Sequence, residues 1–339
     1  MRRAALLFTS PSTYNSSVAA QAEVPLPELV DLLSLGVTDF DPLLADEIVC
    51  WKSRFSWDFR PSADLLRRFL HMRSLQGFAL RVGRTLIGYT YYVLEERKGL
   101  IGDFYMNEPF TDTPTQMMLL GSTVQSLMLK PGVRRIECQL LMLNPAASAS
   151  LPFRQYLKRH DRYFMSIDRA SIQALQPASL KMRVAFGSWT DKFKEEAAHL
   201  VAAAYRGHVD SDINDQYRTI PGARHFLMNI IQYPGCGRFS PRSSIVAIDE
   251  TSGRVCGMCL SSMVAEKSGH VTQLCILPGV RGERLGYELL RLSLMDLVAQ
   301  GCLDVSLTVT CSNVSAIRLY ESMGFRVKAT FPSLVWEGF

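Results

Sequence analysis

One pattern occurs twice in this chain, and it constrains the fold more than any other feature. Residues 77–106 read GFALRVGRTLIGYTYYVLEERKGLIGDFYM and residues 244–276 read SIVAIDETSGRVCGMCLSSMVAEKSGHVTQLCI. Each reads as strand, glycine-containing turn, strand, charged turn, strand, with Gly88 and Gly257 in equivalent places. A helical pattern and a further strand follow each block: TQMMLLGSTVQSLML and RRIECQLLML in the first, RLGYELLRLSLMDLVAQ and LDVSLTVT in the second. Helices, three antiparallel strands, helix, strand, run twice, confine the chain to an α/β (α+β mixed sheet) class. The expected architecture is two tandem domains, each a mostly antiparallel twisted sheet with flanking helices. The boundaries expected are a loose polar tail over 1–23, a first domain over 24–170, a linker SIQALQPASL over 171–180 and a second domain over 181–339.

Composition removes several classes of function. The net charge of +5 on 339 residues is mild and its basic residues are scattered, so no nucleic-acid footprint is expected. No apolar run approaches the ~20 residues that span a bilayer, so no membrane partner is expected. The opening MRRAALLFTS has an apolar run shorter than the ~7–15 residues of a signal peptide, which points to a cytoplasmic chain. Eight cysteines lie far apart inside apolar runs, as reduced, buried thiols do. Cys256 and Cys259 have metal-like spacing, but three residues apart on a strand they should point to opposite faces, and no histidine pair is near. No metal site is expected.

The halves differ where chemistry would sit. After its last strand the first half continues NPAASASLPFRQYL, with no Arg/Gly-rich turn before its helix. The second half has TQLCILPGVRGERLGYELLRLSLMDLV, an apolar strand that enters a helix through a glycine turn. Such a turn gathers free backbone N–H groups and the positive helix end, which suits a phosphate. Near the C-terminus comes NVSAIRLYESMGF, with Asn313 as N-cap, apolar positions at Ala316, Leu319, Tyr320 and Met323, and Gly324 as the left-handed stop. Taken alone, each is a capped amphipathic helix.

Taken together they carry a resemblance. P-x-x-R-G-x-x-x-G at 278–286, followed by N-x-x-A-I-x-L-Y-E-x-x-G-F at 313–325, resembles the GNAT superfamily of N-acetyltransferases over roughly 180–339. The repeat makes 24–170 a degenerate GNAT-like copy. The resemblance implies acetyl-CoA or another acyl-CoA as co-substrate and a primary amine, of a small molecule or a peptide, as acceptor. It places pantetheine along Leu274, Cys275 and Ile276 and the pyrophosphate on Arg281, Gly282, Glu283, Arg284, Leu285, Gly286 and Tyr287. It makes Tyr320 the proton donor to the departing thiolate and sets Asn313 beside the CoA arm.

Two departures stand out. The family's middle turn glycine is Arg284 here, and its strand glutamate is Thr308. His270, in SGHVTQLCIL, is the candidate base, expected on one strand face with Thr272, Leu274 and Ile276. The acceptor side is expected in AAAYRGHVDSDINDQYRTI, where Asp210, Asp212 and Asp215 would attract a cationic amine and Tyr205, His208, Asn214 and Tyr217 would shape a pocket. The sequence leaves two readings open: an N-acyltransferase active in its second half, or an acyl-CoA-binding regulatory or scaffolding module that has lost transfer. Acceptor, acyl length and oligomeric state also stay open.

Overall fold

The structure, a computed structural model, describes residues 26–233 and 235–339; the tail expected over 1–23 lies outside them. The N-terminal half comprises β1 (Glu28–Asp31), α1 (Val37–Phe55), α2 (Arg60–His71), β2 (Gln76–Val82), β3 (Thr85–Glu95), β4 (Lys98–Met106), α3 (Thr113–Met128), β5 (Arg135–Gln139), β6 (Leu157–Asp168) and α4 (Arg169–Gln173). The C-terminal half comprises β7 (Val184–Ser188), α5 (Lys194–Ala204), α6 (Asp210–Ile213), α7 (Ile220–Gln232), β8 (Arg238–Phe239), β9 (Ile245–Asp249), β10 (Val255–Ala265), β11 (Ser268–Ile276), α8 (Leu285–Ala299), β12 (Asp304–Thr310), α9 (Val314–Met323) and β13 (Arg326–Glu337).

All of these strands join one sheet, in the order β1-β2-β3-β4-β5-β13-β6-β12-β11-β10-β9-β7, with β8 paired to β10. The pairings are antiparallel except β4 with β5 and β11 with β12. The last strand of each half is exchanged. β6 runs beside β12 of the C-terminal half, β13 runs beside β5 of the N-terminal half, and β6 and β13 pair with each other. The two halves are thus stitched into a continuous surface by main-chain hydrogen bonds.

The repeat seen in the sequence is reproduced in register. Gly88 lies opposite Met106 and Gly257 opposite Ile276. A Cβ on Gly88 would come within 2.8 Å of the Tyr105 carbonyl oxygen, and one on Gly257 within 2.9 Å of the Ile276 and Leu289 side chains. Each half also skips one residue just before that glycine: Ile87 and Cys256 are the extra residues. A second extra residue falls in the third meander strand, Gly102 in β4 and Thr272 in β11.

Helices cover both faces. Cys259, Val271, Val305 and Leu307 pack with α8 residues Leu285, Leu289, Leu294 and Leu297. On the other face Met258, Leu260 and Cys275 pack with Ala197, Leu200 and Val201 of α5 and Leu227 of α7. The halves also dock reciprocally through the segments after their first helices. Asp58 N–H donates to the Val264 carbonyl at 2.9 Å, and Trp57 Nε1 reaches Ser306 Oγ at 3.4 Å. In return Lys98 Nζ donates to Asp215 at 2.6 Å, within a cluster that includes Glu95, Glu137 and Arg135.

Candidate active site

β11 and β12 are hydrogen-bonded for four registered pairs, Ser268 with Asp304 through Val271 with Leu307, and then part. β11 continues to Ile276 alone beside β10, and β12 to Thr310 alone beside β6. The result is a wedge whose edges carry Leu274, Cys275 and Ile276 on one side and Thr308, Val309 and Thr310 on the other. Alternate backbone groups along each edge turn toward the opening, beyond the last registered pair of β11 with β12. Thr272 sits at the apex. It is the bulged residue, since Leu260 pairs with Gln273 and Ser261 with Val271, and its hydroxyl donates to the Leu260 carbonyl at 3.1 Å.

That bulge shifts the strand's alternation by one and corrects the placement of His270. His270 shares its face with Gln273 and Cys275, not with Leu274 and Ile276. It is only 4% exposed, with Nδ1 2.9 Å from the Ser306 hydroxyl and its ring edge-on to Trp57 at 5.0 Å. Burial, then the nearby Arg162 guanidinium, push its pKa down to about 3. A neutral, enclosed imidazole of this kind is a poor base near pH 7. Gln273 is the β11 residue that reaches the end of α5 on this face, donating from Nε2 to the Tyr205 hydroxyl. The same physics corrects the cysteine pair: with Cys256 bulged, Cys256 and Cys259 enter one core, both as free thiols.

Beyond the wedge, Pro278–Val280 forms a short 3₁₀ turn and α8 begins at Leu285. Gly282 and Arg284 both take positive φ, +84° and +61°. Arg284 is the helix N-cap and its side chain makes no capping bond. The N–H groups of Leu285, Gly286 and Tyr287 therefore point off the helix end without an acceptor among the described residues. Arg281 is committed elsewhere: Nη2 donates to the Ala204 carbonyl at 2.6 Å, tying the turn to α5. The Arg284 guanidinium lies 5.6 Å from the centre of the Tyr287 ring, and Tyr287 donates to the Gln176 carbonyl. Glu283 Oε2 is buried with no partner.

α9 closes the site. Asn313 accepts from the Ala316 N–H at 3.2 Å and Gly324 ends the helix at φ +104°, as the sequence indicates. Asn313 Nδ2 is also 3.3 Å from His208 Nε2. Tyr320 is 8% exposed, packs on Phe325, and its hydroxyl has no hydrogen-bond partner among the described residues. Burial raises its pKa, so it is a protonated phenol at neutral pH.

The acceptor-side residues divide. Tyr217 stacks on Tyr205 at 4.5 Å, and Thr310 donates to the Asp210 carboxylate, so these groups gather at the open end of β12. Asp212 pairs with Arg218 at 3.3 Å, Asn214 caps Gln216 at 3.0 Å, and Asp215 holds Lys98. Asp212 and Asp215 are thus paired with cations, while Asp210 meets the Thr310 hydroxyl and the His208 ring. A cavity of about 320 Å³ is lined by Tyr205, Arg206, Gly207, His208, Ser211, Asp212 and Arg218. Thr272, Gln273 and Arg162 escaped the sequence reading. Bulges leave no local signature, and Arg162 lies in the other half.

Residues 211–325 match the family model described as the acetyltransferase (GNAT) family. No curated protein matches the sequence. Among solved structures, the chain is similar to a GCN5-related N-acetyltransferase from Sphaerobacter thermophilus, at 16% identity over 92% of this chain and 95% of that one, TM-score 0.64. It is also similar to a tandem GNAT protein from the clavulanic acid biosynthesis pathway, at 12% identity over 92% and 98%, TM-score 0.62. A glucosamine N-acetyltransferase region of a fungal multi-domain β-N-acetylglucosaminidase aligns at 13% identity over 92% of this chain and 38% of that one, TM-score 0.62. The fold, with its parted strands β11 and β12, is the one these acetyltransferase structures share. Residues 211–325 thus carry the GNAT match, and the chain as a whole shares its fold with a tandem GNAT protein.

Proposed function

We propose that the C-terminal half transfers an acetyl or other acyl group from coenzyme A to a primary amine by direct attack. The observation that carries this reading is the opening between β11 and β12, bulged at Thr272 and bordered by an uncapped helix end and a buried phenol. Backbone of Leu274, Cys275 and Ile276 pairs with the pantetheine amides. The turn from Arg281 to Tyr287 takes the pyrophosphate on its N–H groups, and Asn313 borders the arm. The corresponding end of α3 in the N-terminal half offers no such seat among the described residues, because the Asp112 carboxylate accepts from Thr115 N–H there.

Acyl-CoA supplies a thioester carbonyl. The amine nitrogen forms a bond to that carbon, the carbon–sulfur bond breaks, and sulfur leaves with the electron pair. Main-chain N–H beside the Thr272 bulge steadies the carbonyl oxygen as it gains charge. Tyr320 gives its proton to the departing sulfur and regains one from solvent. An ordinary alkyl ammonium must first lose a proton, which costs about 4 kcal/mol at pH 7. His208 and Asp210, on the acceptor loop, take that proton. We place the enzyme in the reducing cytoplasm, a reading supported by eight free thiols.

The test is thiol release from acetyl-CoA with a pooled panel of small-molecule and peptide amines. Amine-dependent release with acylated amine as product is the expected result. Tight CoA binding with no release from any amine would favour a binding module instead.

A further inference from the structure

Among the described residues, Arg162 is a cation beside the wedge that no carboxylate meets. β6 belongs to the N-terminal half yet lies along β12, with Arg162 opposite Thr310 and Phe164 opposite Thr308. Ser306, Thr308 and Thr310 share one face of β12, where Ser306 meets His270 and Thr310 meets Asp210. Arg162 reaches that face: Nη2 is 3.2 Å from Thr308 Oγ1, and Nη1 donates to Gln139 Oε1 at 2.8 Å. Its Nε is buried and unpartnered, and no carboxylate among the described residues pairs with it. A half-buried guanidinium held only by neutral groups retains unmet demand for an anion.

The anchors of these two charges are neighbours. Thr308 and Thr310 are two residues apart on one face, so Arg162 and Asp210 are fixed at points about 6.6 Å apart along β12. Resting on the acyl-transfer reading above, we propose that the acceptor is an amine that also carries a carboxylate, an amino acid in class, with its carboxylate on Arg162 and its amine on the Asp210 side. The amine nitrogen then forms the amide bond as the carbon–sulfur bond breaks. One proton leaves nitrogen, one joins sulfur, and the carboxylate is unchanged. Burial raises the pKa of Tyr217 and of Tyr320, and on both Asp210 adds to the rise while Arg162 opposes it. Strand exchange thereby gives the N-terminal half a task in choosing the substrate.

The experiment uses the full chain and each of the twenty protein L-amino acids paired with its primary amide. Thiol release from acetyl-CoA and the thermal midpoint of the CoA-saturated protein are read in parallel. At least one acid should exceed its amide by 10-fold or more in kcat/KM. Arg162→Gln should bring that ratio to within twofold while leaving the acetyl-CoA KM within twofold, and Arg162→Lys should fall between. Thr308→Val, which keeps the charge but frees its aim, should lower the ratio partway and guards against a misfolded Arg162 variant. Amides equal to or better than acids in every pair, or a preference that survives Arg162→Gln, overturns the proposal. Acid-selective midpoint shifts without thiol release would retain the anion site and refute the transferase reading. No selectivity in either readout refutes the anion site.

Discussion

Arg284 and Asp112 stand at the same point of the two halves, each the N-cap of the helix that follows the third meander strand, and only Asp112 caps its helix. In the first half a carboxylate fills the anion seat. In the second the seat is left open by a residue held at φ +61° with its side chain turned onto Tyr287. On the proposed acyl-transfer reading, this contrast confines the pyrophosphate to the second half of the duplicated fold.

Arg284 bears a backbone cost that glycine would not. A left-handed conformation costs an L-residue about 1–2 kcal/mol, partly offset by glycine's freedom in the unfolded chain. Arg284→Gly should therefore raise stability by about 0.5–1 kcal/mol, read as a higher urea midpoint at unchanged slope. A lower midpoint would mean that the stacking on Tyr287 outweighs the strain.

Tyr320 tests the chemistry. Tyr320→Phe keeps the packing on Phe325 and removes only the hydroxyl, which bonds to nothing else among the described residues. General-acid loss should lower kcat by about 10²-fold or more, with the acetyl-CoA KM within twofold. Steady-state kinetics decide. An unchanged kcat would assign the leaving proton to another group.

pH acts on two buried sites with opposite sign. The folded pKa of His270 lies below its unfolded value, so its contribution is present above about pH 6.5 and is lost toward pH 3, at up to about 1.4 kcal/mol per pH unit. His270→Gln should flatten that acid limb of stability against pH. Glu47, fully buried, and Asp103, partly so, both meet the Tyr89 hydroxyl, and burial raises both, Asp103 to about 6. The stabilisation from Asp103 is present below the ordinary carboxylate range and lost as pH rises toward 6, and that from Glu47 is lost as pH rises above that range. Asp103→Asn should thus gain on wild type between pH 4 and pH 7. Parallel curves for either variant would contradict the assignment.

Asp215 ties the acceptor loop to the N-terminal half through Lys98 and Arg135. Asp215→Asn should cost about 1.5–3 kcal/mol of stability, the range for a hydrogen bond to a charged group. It should also raise the acceptor KM more than the acetyl-CoA KM. A stability loss without any change in acceptor KM would make the contact purely structural.

The sequence shows the duplication clearly because its signals are local. Gly88 and Gly257 mark a close strand crossing, and Asn313 and Gly324 bound one helix. Features that depend on pairing were not legible. One extra residue at Thr272 reverses the face assigned to His270, and no periodicity within SGHVTQLCIL announces it. Exchange of β6 and β13 brings Arg162 to β12 across 146 residues of chain. The aspartates at 210–215 look like an exposed acidic lure until Lys98 and Arg135 arrive from the other half and Arg218 folds back on Asp212.

Calorimetric titration of the full chain with CoA, beside a Gly286→Glu variant, addresses the wedge most directly. A Cβ at Gly286 meets only ordinary contacts at 3.7 Å, so the variant folds and sets a carboxylate at the open end of α8. One CoA per chain, with affinity reduced at least 100-fold in the variant at an unchanged thermal midpoint, is the expected result. Two equivalents per chain, or affinity indifferent to the added charge, would contradict the location of the site.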